Sequence, residues 1–181
     1  MRKPAVDTWG STAEERKLAF PCDEHLADPD GIYFRAVAVE ASPALVFRWL
    51  CQLRVAPYSY DWLDNPGFYL GRPSPKTLTP GLDRLKPGQP FMTIFRLASF
   101  APETHITLLA HRFHRVFGQV AVTYMVLPAG EKVRLVVKLL GRYPPGVVGR
   151  VLRKPLPWVD LVMMRRQLLN LKRLAERDAR A

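Results

Sequence analysis

Apolar and polar positions follow two periods along this chain. A period near two marks strands and a period near 3.6 marks helices. Residues 32–40, IYFRAVAVE, are rich in β-branched and aromatic side chains and predict a strand. The next residues, ASPALVFRWLCQL, place Val46, Trp49, Leu50 and Leu53 on one helical face. Ser42 suits the N-cap, and Pro43 suits the first helical position because its missing N–H has no partner there in any case. The helix is predicted over 43–54. Four more strands are predicted at 91–98, 104–111, 119–127 and 133–140, separated by Ala101-Pro102, Gly118 and Pro128-Ala129-Gly130. Their hairpin-like spacing predicts an antiparallel meander. In the last strand Val133, Leu135, Val137 and Leu139 point one way and Arg134 and Lys138 the other, so one face is expected in the core and the other in water. A long amphipathic helix is predicted from about Pro157, with Leu161, Met164, Leu168, Leu171 and Ala175 on its apolar stripe.

The remaining segments are irregular. Residues 1–30 hold Pro4, Pro21, Pro29 and Asp-Pro-Asp-Gly, and predict an N-terminal arm ahead of a single domain over 31–181. A short helix is expected at 11–19, where Ser11 and Glu14 have the spacing of a capping box. Residues 55–90 carry seven of the 17 prolines and predict a long loop. Strands grouped together, flanked by helices, give an α+β class.

At 181 residues, with 48% hydrophobic and 24% charged residues, the chain has the size and composition of one folded domain. Two cysteines, Cys22 and Cys51, are too few for a disulfide scaffold and lack metal spacing. No signal peptide and no apolar run of membrane-spanning length is visible, so a soluble, cytoplasmic protein is expected. The net charge is +11, and from residue 131 onward 13 Lys/Arg stand against four Asp/Glu. That asymmetry suits an acidic partner or a solvated basic surface.

Several local words resemble the START-like SRPBCC superfamily, in particular its polyketide cyclase/dehydrase-type bacterial branch. They are Trp9-Gly10 followed by Glu14-Glu15, FRAVAVEASPALVFRWLCQL at 34–53, YSYDWLDN at 58–65, and LKPGQPF at 85–91. The resemblance spans nearly the whole chain. It implies a helix-grip fold, in which a curved antiparallel sheet wraps around the long C-terminal helix and an apolar cavity lies between them. Members bind lipids, polyketides, sterols or other hydrophobic ligands, and a minority catalyse cyclisation or dehydration. Fold alone does not select among these.

The implied cavity gives the candidate lining residues Tyr58, Tyr60, Trp62, Phe91, Phe95, His105, Tyr124, Met164 and Leu168. Tyr58, Tyr60 and Trp62 alternate as an extended segment would place them, with their rings inward. Asp61 and Asp64 lie in the same stretch. They read either as an acid/base pair or as solvated turn residues before Pro66-Gly67. His105 reads as a polar hook in the cavity or as a satisfied structural histidine. His111 and His114 have a helical metal spacing but precede a strand, so neither metal nor another cofactor is expected. No nucleophile elbow, P-loop, zincin or dinucleotide motif is present, and no catalytic set is assigned. The basic residues are not interleaved with stacking aromatics, so no specific nucleic acid is expected. The partners expected are a small hydrophobic ligand and, through the mixed apolar and basic stretch at 143–158, an anionic membrane surface. A ligand burying about 300 Å² of apolar surface gains roughly 7–8 kcal/mol before association costs, enough for carriage without chemistry. A cyclase/dehydrase-type enzyme, with His105, Tyr60 or Asp61 as first suspects, and a basic surface-docking adaptor are the alternatives.

Overall fold

A computed structural model describes residues 4–60, 73–112, 118–130 and 132–181. In chain order the regular elements among them are α1 (Ala5–Thr8), β1 (Gly31–Val39), α2 (Pro43–Cys51), β2 (Pro90–Phe91), β3 (Phe95–Ala101), β4 (His105–Ala110), β5 (Gln119–Ala129), β6 (Lys132–Arg142), α3 (Gly146–Leu152) and α4 (Leu156–Ala179). The strands form one antiparallel sheet in the order β1-β6-β5-β4-β3-β2. The sheet is curved and open, and a register shift between Leu97 and Ser99 bends β3. The long helix α4 packs across its inner face, and α2 joins it there. This is the α+β helix-grip architecture expected.

Most predicted elements form where the pattern places them. Ser42 Oγ accepts the Leu45 amide at 3.3 Å and caps α2, with Pro43 at its first position. The helix stops at Cys51, and Gln52–Arg54 tighten into a 3₁₀ turn. One prediction fails locally. The strand expected over 91–98 is broken after Phe91, where Met92 and Thr93 turn the chain with φ of 43° and 65°, and β3 starts only at Phe95. A second change concerns the stretch before α4. The mixed apolar and basic stretch contains a helix of its own, α3, and α4 begins at Leu156.

Core parity follows from the ladder. Tyr33, Arg35, Val37 and Val39 of β1 share the inner face with Leu135 and Val137 of β6, with Val122, Tyr124 and Val126 of β5, and with Ile106 and Leu108 of β4. Against them α4 sets Met164, Leu168, Leu171, Leu174 and Ala175, and α2 sets Val46, Trp49 and Leu50. The C-terminal half of α4 is pinned by Trp49 Nε1 to Asp178 at 3.1 Å, by Lys172 Nζ to the Ala38 carbonyl at 2.7 Å, and by the Glu40 amide to Glu176 at 2.9 Å.

The outer face is not simply wet, contrary to the reading of Arg134 and Lys138. The N-terminal segment lies over it. Phe20, Cys22 and Leu26 are buried against Phe34, Ala36, Met125, Val136 and Leu140. Arg134 Nε meets the Glu15 carboxylate at 2.6 Å, and Lys138 Nζ meets Asp23 at 2.6 Å. The expected capping box forms one residue later than Ser11 and Glu14. The Glu15 amide donates to Thr12 Oγ1 and the Thr12 amide donates back to Glu15 Oε2, at 3.1 and 2.7 Å. The same segment covers the free edge of the sheet, since the Ala36 amide of β1 donates to the Trp9 carbonyl at 3.0 Å. Gly10 permits this approach. Its φ is 72°, and a Cβ there would collide with the Ala36 carbonyl.

Candidate functional site

Among the described residues, two buried polar clusters interrupt the largely apolar seam between α4 and the inner sheet face. The first lies where the chain leaves α2 and crosses α4. Gln167 sits on the apolar stripe of the helix and is buried. Its Oε1 accepts the Tyr124 hydroxyl at 2.7 Å, and its Nε2 donates to the Pro57 carbonyl at 2.6 Å and approaches Met92 Sδ at 3.2 Å. One turn on, Asn170 Nδ2 donates to the Tyr58 carbonyl at 2.8 Å. Two α4 amides thereby hold the chain entering the proline-rich segment. Burial, with the Asp160 charge adding to it, holds the Tyr124 phenol well above its ordinary pKa, so it stays protonated and donates. Three non-glycine residues around this point have left-handed backbone: Tyr58 (φ 57°), Met92 (43°) and Thr93 (65°). Each such residue costs about 1–3 kcal/mol and persists only where its surroundings hold it.

The second polar place is deeper along β1. Arg35 is fully buried, and its guanidinium meets Asp160 of α4 at 2.8 Å and the Phe34 carbonyl at 2.9 Å. Its Nε has no hydrogen-bond partner among the described residues. Burial raises the Asp160 pKa, with Arg35 opposing that shift. Nearby, Tyr33 and Tyr143 share a hydroxyl–hydroxyl hydrogen bond of 2.8 Å.

The expected lining residues divide. Tyr58, Phe91, Phe95, Tyr124, Met164 and Leu168 come together in or against the inner core. Tyr58 packs edge-on to Trp49 with ring centroids 6.0 Å apart. Tyr60 is half-buried beneath the Arg166 guanidinium, 5.8 Å from its ring centroid, and is not part of that core. Trp62, Asp61 and Asp64 lie outside the described residues, as does His114. His105 does not line the interior. Its Cα partner is Met125, so it shares the outer face with Thr107 and Met125, and the inner position is taken by Ile106 opposite Tyr124. Burial lowers its pKa there, which favours the neutral ring. Alternation gave its neighbours correctly but could not say which face is inside.

Gln167, Asn170, Met92, Arg35 and Asp160 escaped the sequence reading. For two of them a signal existed. Gln167 stands between Met164 and Leu168 on the stripe, and Arg35 interrupts a strand in phase with Val37. On the outside of α2 an open cleft of about 280 Å³ is lined by Arg48, Gln52, Thr79 and Asp83 among others. The Gln52 amide is already matched there to both backbone groups of Thr79. Among the described residues no three of His, Cys, Asp or Glu gather as metal ligands, and no helix is long and apolar enough to cross a membrane.

The sequence matches no family model and no curated protein. Solved structures do match. TTHA0849 from Thermus thermophilus aligns with a TM-score of 0.53 at 16% identity, over 82% of this chain and 99% of that one. The hypothetical protein jhp0584 from Helicobacter pylori aligns at 0.52 and 13% identity, over 87% and 95%. The di-domain ARO/CYC StfQ from the steffimycin biosynthetic pathway aligns at 0.53 and 12% identity, over 83% of this chain and 52% of that one. At these identities the likeness establishes the fold, a helix-grip domain, and nothing finer.

Proposed function

We propose that this helix-grip domain binds a small hydrophobic ligand, lipid- or polyketide-like, at the seam between the inner sheet face and α4. The observation that carries the proposal is the convergence on buried Gln167. A polar side chain on an otherwise apolar stripe holds Tyr124, Pro57 and Met92, and three left-handed non-glycine residues surround it. Backbone strain and a buried polar hub in an apolar surround recur at ligand sites. Phe91, Phe95, Met164 and Leu168 supply the apolar contact, and Tyr124–Gln167 supplies an orienting hydrogen bond. Gln167 and Asn170 both fasten this stretch to α4, so separation of 57–58 from the helix would open the seam. The likeness to an ARO/CYC is compatible with a polyketide-like guest.

The test is incubation of the whole chain with lipid and polyphenol extracts, followed by native mass spectrometry. Retention of a discrete hydrophobic adduct, weakened in Gln167→Leu, is expected. A chain that emerges empty from every extract overturns the proposal. For the cyclase alternative His105 faces outward, Tyr60 stays a suspect, Asp61 lies outside the described residues, and Tyr124 adds a buried hydrogen-bond donor. Turnover of a poly-β-keto substrate, lost in Tyr124→Phe, is the result that would favour it.

A further inference from the structure

We propose that α3 and the first turns of α4 form a docking face for an anionic lipid surface. Large exposed apolar side chains are concentrated there. Among the described residues these are Val147, Val148, Val151, Trp158, Val159 and Val162, with Leu18, Ile32 and, further along α4, Leu169 outside it. Each helix repeats one pattern. Val147, Val148 and Val151 stand at i, i+1 and i+4 of α3, and Trp158, Val159 and Val162 stand at the same offsets in α4, so each presents one apolar strip to solvent. Residues 153–155 join the two helices. The exposure is built in. Gly149, the buried position of α3, lies so close to the Pro144 carbonyl just ahead of the helix that a Cβ would collide with it, and the valines occupy the exposed positions around it.

Charge selects the partner. Arg150, Arg153, Lys154, Arg165 and Arg166 flank these strips and are exposed. Of the acids nearby, Asp30 is engaged with Arg153 at 2.7 Å and Asp160 with buried Arg35. A second copy of this chain would bring the same cations against themselves. A neutral partner would leave them without counter-charge. A bilayer rich in acidic headgroups meets both features, with valines and an interfacial tryptophan entering the headgroup boundary beneath a ring of Lys and Arg. This face lies on the solvent side of α3 and α4, away from the Tyr124–Gln167 seam, and the inference stands whether or not the seam holds a ligand.

The test is co-sedimentation of the full chain with vesicles of phosphatidylcholine alone and of phosphatidylcholine mixed with phosphatidylserine, over a salt series. Binding is expected only to the mixed vesicles and should fall as salt rises. Replacing Arg150 and Lys154 by Gln should weaken it about fivefold for each cation removed. Val151→Asp with Trp158→Asp should reduce it at least about tenfold, and because both positions are exposed the thermal melt should not move. No sedimentation with acidic vesicles at low salt overturns the proposal. So does equal binding to neutral vesicles, or self-association in sedimentation velocity that the same two substitutions abolish. Native mass spectrometry of the double variant separates this from the ligand reading, because retained adducts should be unchanged.

Discussion

Replacing Asp160 by Leu isolates the worth of the buried ion pair. Arg35 is fully buried and Asp160 keeps 19% of its side-chain surface, with 2.8 Å between the charged atoms. At an effective dielectric of ~20 the attraction at that distance is about 6 kcal/mol. Desolvation takes back several kcal/mol per ion, so the pair as a whole contributes little net stability. Removing only the acid is a different matter. The guanidinium cannot deprotonate and is left charged in an apolar seam, which costs about 3–5 kcal/mol. For a chain of this size that corresponds to a fall in Tm of roughly 6–20 °C. Urea unfolding followed by far-ultraviolet circular dichroism measures it. The double variant Arg35→Met with Asp160→Leu should recover to within about 1 kcal/mol of the parent or exceed it. Arg35→Met alone carries a signed pH dependence. Burial then acts on Asp160 without the opposing cation, so its native pKa lies further above the ordinary value. A raised native pKa contributes stability that is present below about pH 3.9 and lost as pH rises through the raised value. This variant should therefore lose stability, relative to the parent, between acid and neutral pH. The reasoning is refuted if Asp160→Leu costs under about 1 kcal/mol, or if the double variant is as unstable as the sum of the singles.

Four further outcomes are expected. Gly10→Ala should cost at least about 1–3 kcal/mol, from a left-handed φ plus the collision with the Ala36 carbonyl, and should speed amide exchange at Ala36, measurable by NMR. Burial pushes the Glu15 carboxyl up, but the Arg134 and Thr12 hydrogen bonds and the Arg134 charge hold it below its ordinary value. Its contribution is present above about pH 4.3 and lost as pH falls through the depressed value, so Glu15→Gln should flatten the acid limb of a stability–pH curve. Tyr124→Phe leaves Gln167 Oε1 without its donor and should cost about 1–3 kcal/mol in chemical denaturation. Burial, with the Asp83 charge adding to it, pushes the Cys51 thiol up to about 12, and Cys22 is also raised, so a thiol reagent at neutral pH should label both only on unfolding.

Local chemistry carried much of the fold. Ser42-Pro43 starts α2 because a hydroxyl cap and a residue lacking an N–H both meet the needs of a helix start. Alternation set the parity of β6, and helical spacing gave most of the α4 stripe. Tyr58, Phe91, Phe95, Tyr124, Met164 and Leu168 could be grouped in advance because large apolar side chains in phase have to share one interior. The break after Phe91 was not legible, since nothing in Met92-Thr93 advertises left-handed backbone. It is held by tertiary bonds, the Met92 amide to the Leu53 carbonyl at 2.9 Å and the His111 amide to the Ile94 carbonyl at 3.0 Å.

What the sequence determined by itself, then, is period: which residues are neighbours on a strand face or a helix stripe, and where elements begin. What only the tertiary structure decided is which side is inside. His105 went outward, Arg35 went inward, and the N-terminal segment covered a face that its charges suggested was bare. A period of two distinguishes two faces but labels neither. The label comes from what packs against each face, and Phe20, Cys22 and Leu26 cover not only nearby β1 but also β5 and β6, about a hundred residues away along the chain.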